Sequence, residues 1–220
     1  MRIRSDGTPR IMDVVAMVIT VGKKTIEGVQ YFAQNDNELW GGVSGNVQCC
    51  PTSNAALASF LRPGLAASAK AAGFKEFESY YKANFELLDY TADDRGNHDA
   101  HTVVLREAFG IESTWRTDLA WADVVRSIDA DIPVVCGLEY KSSGHIALIV
   151  GYTEDGFLIN DPYGIRDGVA DEYLEINQGY GDRSGEHDFY SKTSLEQLFF
   201  CGGGGWGRWV TAVEQKPTGL

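Results

Sequence analysis

The spacing of hydrophobic residues divides the chain into a helical first half and a strand-rich second half. Between residues 51 and 128, apolar side chains recur every three or four positions, which is typical of helices that bury one face. This spacing predicts helices over residues 51–61, 66–72, 75–88, 99–108 and 119–128. Pro63 and Gly64 are expected to end the first helix, and Thr117 or Asp118 to cap the last.

The second half carries short β-branched runs that are bounded by glycine, aspartate and proline. They predict strands over 134–138, 145–152 and 157–160, with a closing strand over 206–213 and an early strand over 11–20. Because residues 146–150 are apolar on both faces, the second of these strands should be central. Helices that precede strands without βαβ alternation predict an α+β fold with an antiparallel sheet. We expect one domain over residues 1–220, with a helical lobe at about 45–130 and a sheet lobe at about 131–213.

Composition and charge exclude several classes of protein. A hydrophobic share of 44% is too high for a disordered chain. The 31 acidic residues outnumber the 19 basic ones and leave a net charge of −12, which argues against binding to nucleic acid or to an anionic membrane. No apolar run is long enough to cross a bilayer, and the run 11–20 is interrupted by Asp13 and lacks a signal-peptide cleavage site. We therefore expect synthesis in the cytoplasm without membrane insertion.

The cysteines and histidines do not predict a metal site or a disulfide framework. Cysteines 49, 50, 136 and 201 lack disulfide or zinc spacing and are expected to be free thiols. The pair His98 and His101 is interpreted as a solvated helix start. Asp89, Asp93 and Asp94 are interpreted as a solvated acidic turn, because their spacing matches no standard calcium loop. No cofactor is expected.

Cys49 and Cys50 stand directly before Pro51, a residue that favours the first turn of a helix. The free amides and the dipole at a helix N-terminus stabilise a thiolate and lower its pKa. A nucleophilic cysteine needs this environment at neutral pH. The alternative is that both thiols are small apolar groups buried before a helix.

His145 and Asp161 are the candidate partners of such a thiol. His145 opens the central strand after a loop and could act as a general base; the alternative is a surface histidine at a strand end. Asp161 follows the next strand and could orient the histidine, or simply form a turn with Pro162. A hairpin loop of three to five residues around Thr153 places His145 opposite Asp161, whereas a two-residue turn at 155–156 places it opposite residue 166. We predict the wider loop, with a bulge.

Four motifs occur in the order found in a known family. They are YFAQNDN at residues 31–37, C-x-x-T-S from Cys49, GHIALIVGY at 144–152 and DPYG from Asp161. Together they resemble the papain-like cysteine peptidases related to bacteriocin double-glycine leader peptidases. The resemblance spans about residues 28–165 and continues weakly toward Trp206. It implies a papain-like fold with the nucleophile at a helix N-terminus in the helical lobe.

The resemblance also implies a role for each residue. Cys49 is the expected nucleophile, preferred over Cys50 by the family pattern, with His145 as general base and acid. Asp161 is the expected orienting carboxylate and Gln34 the expected oxyanion-hole residue. The oxyanion role requires the long, glycine-containing stretch between Gln34 and Cys49 to fold back.

The implied activity is cleavage of an amide bond by a Cys-His-Asp mechanism. The expected substrate is a peptide, in particular the stem peptide of peptidoglycan, as for a phage lysin released by lysis or packaged in a virion. The alternative is a catalytically idle papain-like module that binds virion partners. Trp206 and Trp209 could dock such a partner, although we expect them to be buried aromatics that close the sheet.

Overall fold

A computed structural model of the protein describes residues 22–140, 144–167, 172–179 and 181–214. The strand predicted over 11–20 lies outside these ranges. Among the described residues, the helices are α1 to α6, at Cys49–Leu61, Leu65–Ala71, Phe77–Leu87, His98–Phe109, Trp121–Asp129 and Lys192–Leu198. The strands are β1 to β9, at Lys24–Thr25, Ile111–Leu119, Val134–Glu139, Gly144–Tyr152, Gly156–Asn160, Gly164–Arg166, Tyr173–Ile176, Asp188–Ser191 and Gly205–Val213.

The strands form an antiparallel sheet in the order β2-β9-β3-β4-β5-β8, and β1 pairs with the end of β4. A separate antiparallel pair joins β6 and β7. The predicted α+β class is confirmed. Strand β4 lies inside the sheet between β3 and β5, as its continuous apolar run indicated.

The helical layer packs on this sheet through α1. Ala55, Ala56, Leu57 and Ala58 are buried, because α1 contacts β4 on one side and α3 and α4 on others. A helix enclosed in this way needs small residues at several faces, which explains its alanine-rich sequence. The helix ends at Leu61, before Pro63, as predicted.

Strand β2 differs from the sequence interpretation. The segment Ile111–Leu119 lies at the edge of the sheet, where it pairs with β9. Thr117 and Asp118 therefore belong to a strand and do not cap α5, which begins at Trp121. The carboxylate of Asp123 accepts the amide of Ala120 at 3.0 Å and serves that purpose instead.

Four short elements after residue 160 were not predicted. They are β6, β7, β8 and α6, and each is too short to show a clear hydrophobic period. Strand β8 pairs with β5, and the β6–β7 pair follows directly after Asp161. These elements bring tyrosines to the site described below.

Candidate active site

Cys49 is the first residue of α1, two residues earlier than the predicted start. The buried Gln48 anchors this start, because its side-chain amide donates to the carbonyls of Glu38 and Val43 at 3.1 and 3.0 Å. As the first helical residue, Cys49 presents a backbone amide that has no acceptor within the helix. The thiol therefore lies at the positive end of α1.

A side-chain contact links this helix to the strand that carries His145. The hydroxyl of Ser53, one turn along α1, donates to the carbonyl of Ile146 at 3.2 Å. The Cys49 thiol interacts with the Ile146 backbone and is hydrogen-bonded to the His145 side chain. The thiol and the imidazole are thus brought together from two distant parts of the chain.

The His145 ring is hydrogen-bonded to Asp161, with 2.8 Å between Nε2 and Oδ1. This bond leaves Nδ1 as the ring nitrogen for the thiol. The ring is 7% exposed and is stacked on Tyr140, with ring centroids 5.5 Å apart and planes 16° apart. Both ring nitrogens and one ring face are therefore held in place.

The predicted hairpin register was wrong, although its loop length and bulge are confirmed. Tyr152 pairs with Phe157 across four intervening residues, and a register shift between Ile149 and Gly151 marks the bulge. If the pairing of Leu148 with Asn160 is continued by one residue, Asp161 lies opposite Ala147, two residues after His145. The two side chains therefore meet along a diagonal of the sheet and not directly across it.

The carboxylate of Asp161 is fully buried and accepts four hydrogen bonds. Besides His145, Oδ1 accepts the backbone amide of Tyr163 at 2.9 Å, and Oδ2 accepts the hydroxyls of Tyr190 at 2.8 Å and Tyr173 at 3.1 Å. Sequence reasoning did not assign a role to these two phenols. Their only signal was the aromatic content of a region without clear periodicity.

The charges in this cluster shift its pKa values in a consistent direction. Burial by itself raises the pKa of Cys49, but the charge and hydrogen bond of His145 outweigh it, so the pKa of the thiol is lowered. Burial lowers the pKa of His145, but Asp161 and Cys49 raise it to about 10. Burial raises the pKa of Asp161, yet His145 and the hydrogen-bond donors around it lower it. At neutral pH the cluster therefore favours a thiolate and an imidazolium.

Cys50 lies in a different environment on the inner side of the same turn. It is 3% exposed, and burial, followed by the neighbouring Cys49, raises the pKa of its thiol well above the usual range. The amide of Asn54 donates to the Cys50 carbonyl at 2.9 Å and lies 3.6 Å from its sulfur. A buried, protonated thiol is a poor nucleophile.

Gln34 lies close to the segment that precedes Cys49. Its backbone amide donates to the carbonyl of Pro162 at 2.9 Å, and its side-chain amide nitrogen is 3.4 Å from the carbonyl of Gly45. A Cβ at position 45 would collide with the Gln34 carbonyl, so glycine permits this approach. The stretch between them therefore folds back, as the oxyanion role requires, and that role stays a prediction.

Asn37 and Thr52 connect the first two motifs through hydrogen bonds. The side-chain amide of Asn37 donates to the Thr52 hydroxyl at 2.8 Å, and that hydroxyl donates to the Gln48 carbonyl at 2.8 Å. Asn37 of YFAQNDN and Thr52 of C-x-x-T-S therefore link the segment that contains Gln34 to the start of α1.

Two other expectations from the sequence were wrong. His101 does not belong to a solvated helix start, because it is fully buried and contacts the Tyr81 hydroxyl at 2.9 Å and the Arg95 carbonyl at 2.8 Å. His98 is stacked on Trp115 at 3.5 Å. Trp206 is not buried, since 45% of it is exposed.

The described ranges contain neither a cluster of metal ligands nor a membrane-spanning helix. In those ranges, no group of three or more histidine, cysteine, aspartate or glutamate side chains is placed to hold a metal ion. Within the same ranges, no helix combines the length and the apolar character that crossing a membrane requires.

Known proteins with similarity to this chain include a peptidase family and a solved structure. A family model described as the Peptidase_C39 like family matches residues 26–185, nearly three quarters of the chain. The crystal structure of a candidate C39-like peptidase from Bacillus anthracis is similar, with 15% identity, 86% of this chain and 98% of that chain covered, and a TM-score of 0.48. The curated proteins gave no significant match. On the family match, the chain belongs to the Peptidase_C39 like family.

Proposed function

We propose that the protein is a cysteine peptidase that hydrolyses an amide bond with Cys49, His145 and Asp161. The observation that supports this most directly is the hydrogen-bonded series from the Cys49 thiol through the imidazole to a buried carboxylate. Each group has a partner that biases it toward the charge state that acyl transfer needs. The family to which the chain belongs is consistent with this activity.

The mechanism follows from these positions. The Cys49 thiolate attacks the substrate carbonyl carbon, and the carbonyl oxygen becomes an oxyanion that the Cys49 amide and Gln34 are expected to stabilise. The C–N bond breaks when the His145 imidazolium transfers its proton to the leaving amine. Neutral His145 then takes a proton from water, the hydroxide attacks the thioester, and the acid product leaves as the thiolate is restored.

Within this activity, we propose peptidoglycan stem peptides as the substrate class, with delivery by cell lysis or in a virion. Support comes from the groove beside His145, which has a volume of about 390 Å³ and is large enough for a segment of a short peptide. The test is incubation of the purified protein with peptidoglycan and, separately, with a denatured protein, with new amines as the readout. Amine release only from the denatured protein would identify a general peptidase instead.

Thiol labelling tests the chemistry without knowledge of the substrate. Cys49 should react with a peptide-based thiol electrophile at neutral pH, because its pKa is lowered. The reaction should slow at acidic pH and in the His145→Ala variant. A thiol that fails to react in the folded wild-type protein would support a catalytically idle binding module.

A further inference from the structure

A groove runs along β3 and β4 and opens next to the candidate nucleophile. Its lining includes His145 and Ile146, the two residues whose ring and backbone contact the Cys49 thiol. A peptide placed with a carbonyl at Cys49 would therefore lay a neighbouring side chain in this groove.

Aromatic side chains form much of the lining of the groove. Gly137 lies on the floor between Trp115 and Trp206, and a Cβ at this position would be 3.3 to 3.4 Å from both residues. Glycine thus keeps the floor low enough for a side chain to enter. Trp206 is half-exposed, so part of its aromatic surface is open to a ligand.

The groove carries one acidic group at its rim. The Glu139 side chain is exposed, at the end of β3, and its Oε2 accepts the Cys201 thiol at 2.8 Å. No lysine or arginine is among the described residues that line this groove. His98 contributes no charge at neutral pH, because burial, followed by the charge of Arg208, lowers its pKa to about 4.

An aromatic wall beside a carboxylate matches one kind of side chain. A lysine or a diamino acid has an aliphatic stem that packs on an indole and an ammonium group that pairs with a carboxylate. We propose that this groove is a substrate subsite for such a cationic side chain, with Glu139 as its charged partner and Trp206 as its wall. This inference rests on the proposed function and narrows its substrates to peptides with a cationic residue near the cleaved bond.

The activity test uses two peptides that differ only in charge. Acetyl-Ala-Ala-Lys-Ala-Ala-amide and its norleucine analogue are incubated with the protein, and mass spectrometry identifies the cleaved bond. The lysine peptide should be cleaved about tenfold faster in kcat/KM, within two residues of the lysine. A preference for norleucine, or equal rates, would overturn the proposal.

Variants separate the groove from the general negative charge of the protein. Glu139→Gln should remove the preference for lysine, so that the two peptides are cleaved at equal rates. The matched control is Glu154→Gln, an exposed acid in the β4–β5 turn at the opposite end of β4 from His145, which should keep the preference. If both variants reduce it equally, the net charge of −12 attracts the peptide and the subsite is refuted.

A binding measurement keeps this test independent of catalysis. In the Cys49→Ser variant, calorimetry should show tighter binding of the lysine peptide than of the norleucine peptide, and Glu139→Gln should abolish the difference. Binding without cleavage by the wild-type protein would retain the subsite and reject the peptidase proposal. Cleavage without any Glu139-dependent difference would retain the peptidase and reject the subsite.

Discussion

The two sides of the first turn of α1 carry adjacent cysteines with opposite properties. Cys49 faces the cleft and interacts with His145, so its pKa is lowered. Cys50 faces the interior, where burial raises its pKa. Both thiols share a helix N-terminus, so the helix dipole cannot explain the difference. The difference arises because His145 outweighs the effect of burial at Cys49, whereas the groups around Cys50 do not outweigh it.

Two buried histidines, His145 and His101, also have pKa values that are shifted in opposite directions. His145 and His101 are both buried, but Asp161 and Cys49 outweigh that burial and raise the pKa of His145 to about 10. Burial, followed by the charges of Arg208 and His98, lowers the pKa of His101 to about 3, although the hydrogen bond to the Arg95 carbonyl acts in the opposite direction. Burial is common to both rings, and the buried carboxylate turns one of them into a candidate acid–base group.

The side of α1 that carries Cys50 also packs against a buried charged residue, which is hydrogen-bonded to neutral groups. Arg208 is fully buried and donates to Asn54, Thr102 and Ser113 at 2.8 to 3.1 Å, and to the His98 carbonyl at 3.1 Å. Asn54 in turn contacts Cys50. This network contacts the side of the first turns of α1 that carries Cys50 and Asn54. The charged cluster around Asp161 lies on the side that carries Cys49.

The largest effect is expected when each of the two thiols is replaced in turn. Cys49→Ser should reduce peptide hydrolysis by about 10⁴-fold or more, because a serine hydroxyl lacks the lowered pKa of this thiol. Cys50→Ser should keep most of the activity. Rates are measured on one peptide, with thermal melting as the control for folding. The reverse outcome would make Cys50 the nucleophile.

The next largest effect is expected from the carboxylate. Asp161→Asn removes the negative charge next to His145 and should lower kcat by about 10² to 10⁴-fold. Without that charge the imidazolium is less stable, and this loss outweighs the smaller, direct effect by which Asp161 raises the pKa of Cys49, so the pKa of the thiol should rise. The alkylation rate of Cys49, measured against pH, should then have its midpoint at a higher pH than in the wild type. An unchanged pH profile and an unchanged rate would remove Asp161 from the mechanism.

A smaller effect is expected from the phenols that hold Asp161. Tyr190→Phe removes one hydrogen bond to Oδ2 and should reduce kcat by about tenfold, because the carboxylate that orients His145 is held less firmly. Tyr152→Phe is the matched control, because its hydroxyl also donates to a carboxylate, that of Asp129, at the far end of β4. Equal effects of both variants would indicate a general loss of stability.

The smallest effect on activity, but a clear one on stability, is expected for His101→Gln. Folded His101 stays neutral down to about pH 3, whereas the unfolded imidazole takes up a proton below about pH 6.5. The free energy of unfolding should therefore fall as the pH drops through this range, by a few kcal/mol on an order-of-magnitude basis. The variant should show a weaker dependence in urea titrations at pH 7 and pH 5, because only the part due to His98 remains, with neutral-pH activity unchanged.

His145 should have the opposite linkage. Because its folded pKa is raised, its contribution to stability is present below about pH 6.5 and is lost as the pH rises through about 10. If the free energy of unfolding of the wild-type protein did not change with pH in these two ranges, the opposite pKa shifts of His101 and His145 would be contradicted.

Much of this protein is determined by local sequence. The alanine-rich run of α1, its stop before Pro63 and the continuous apolar run of β4 specify their elements through short-range propensity and burial, and all three were predicted. The order of Gln34, Cys49, His145 and Asp161 also identified the family before any geometry was known.

Only the tertiary structure decided which residues surround the cluster. A bulge in β4 sets the diagonal approach of His145 to Asp161, and short strands after residue 160 bring Tyr173 and Tyr190 to the carboxylate. The different environments of Cys49 and Cys50 likewise depend on groups far away in the chain. Such contacts have no local period, because they arise from register and packing between segments that are distant in sequence.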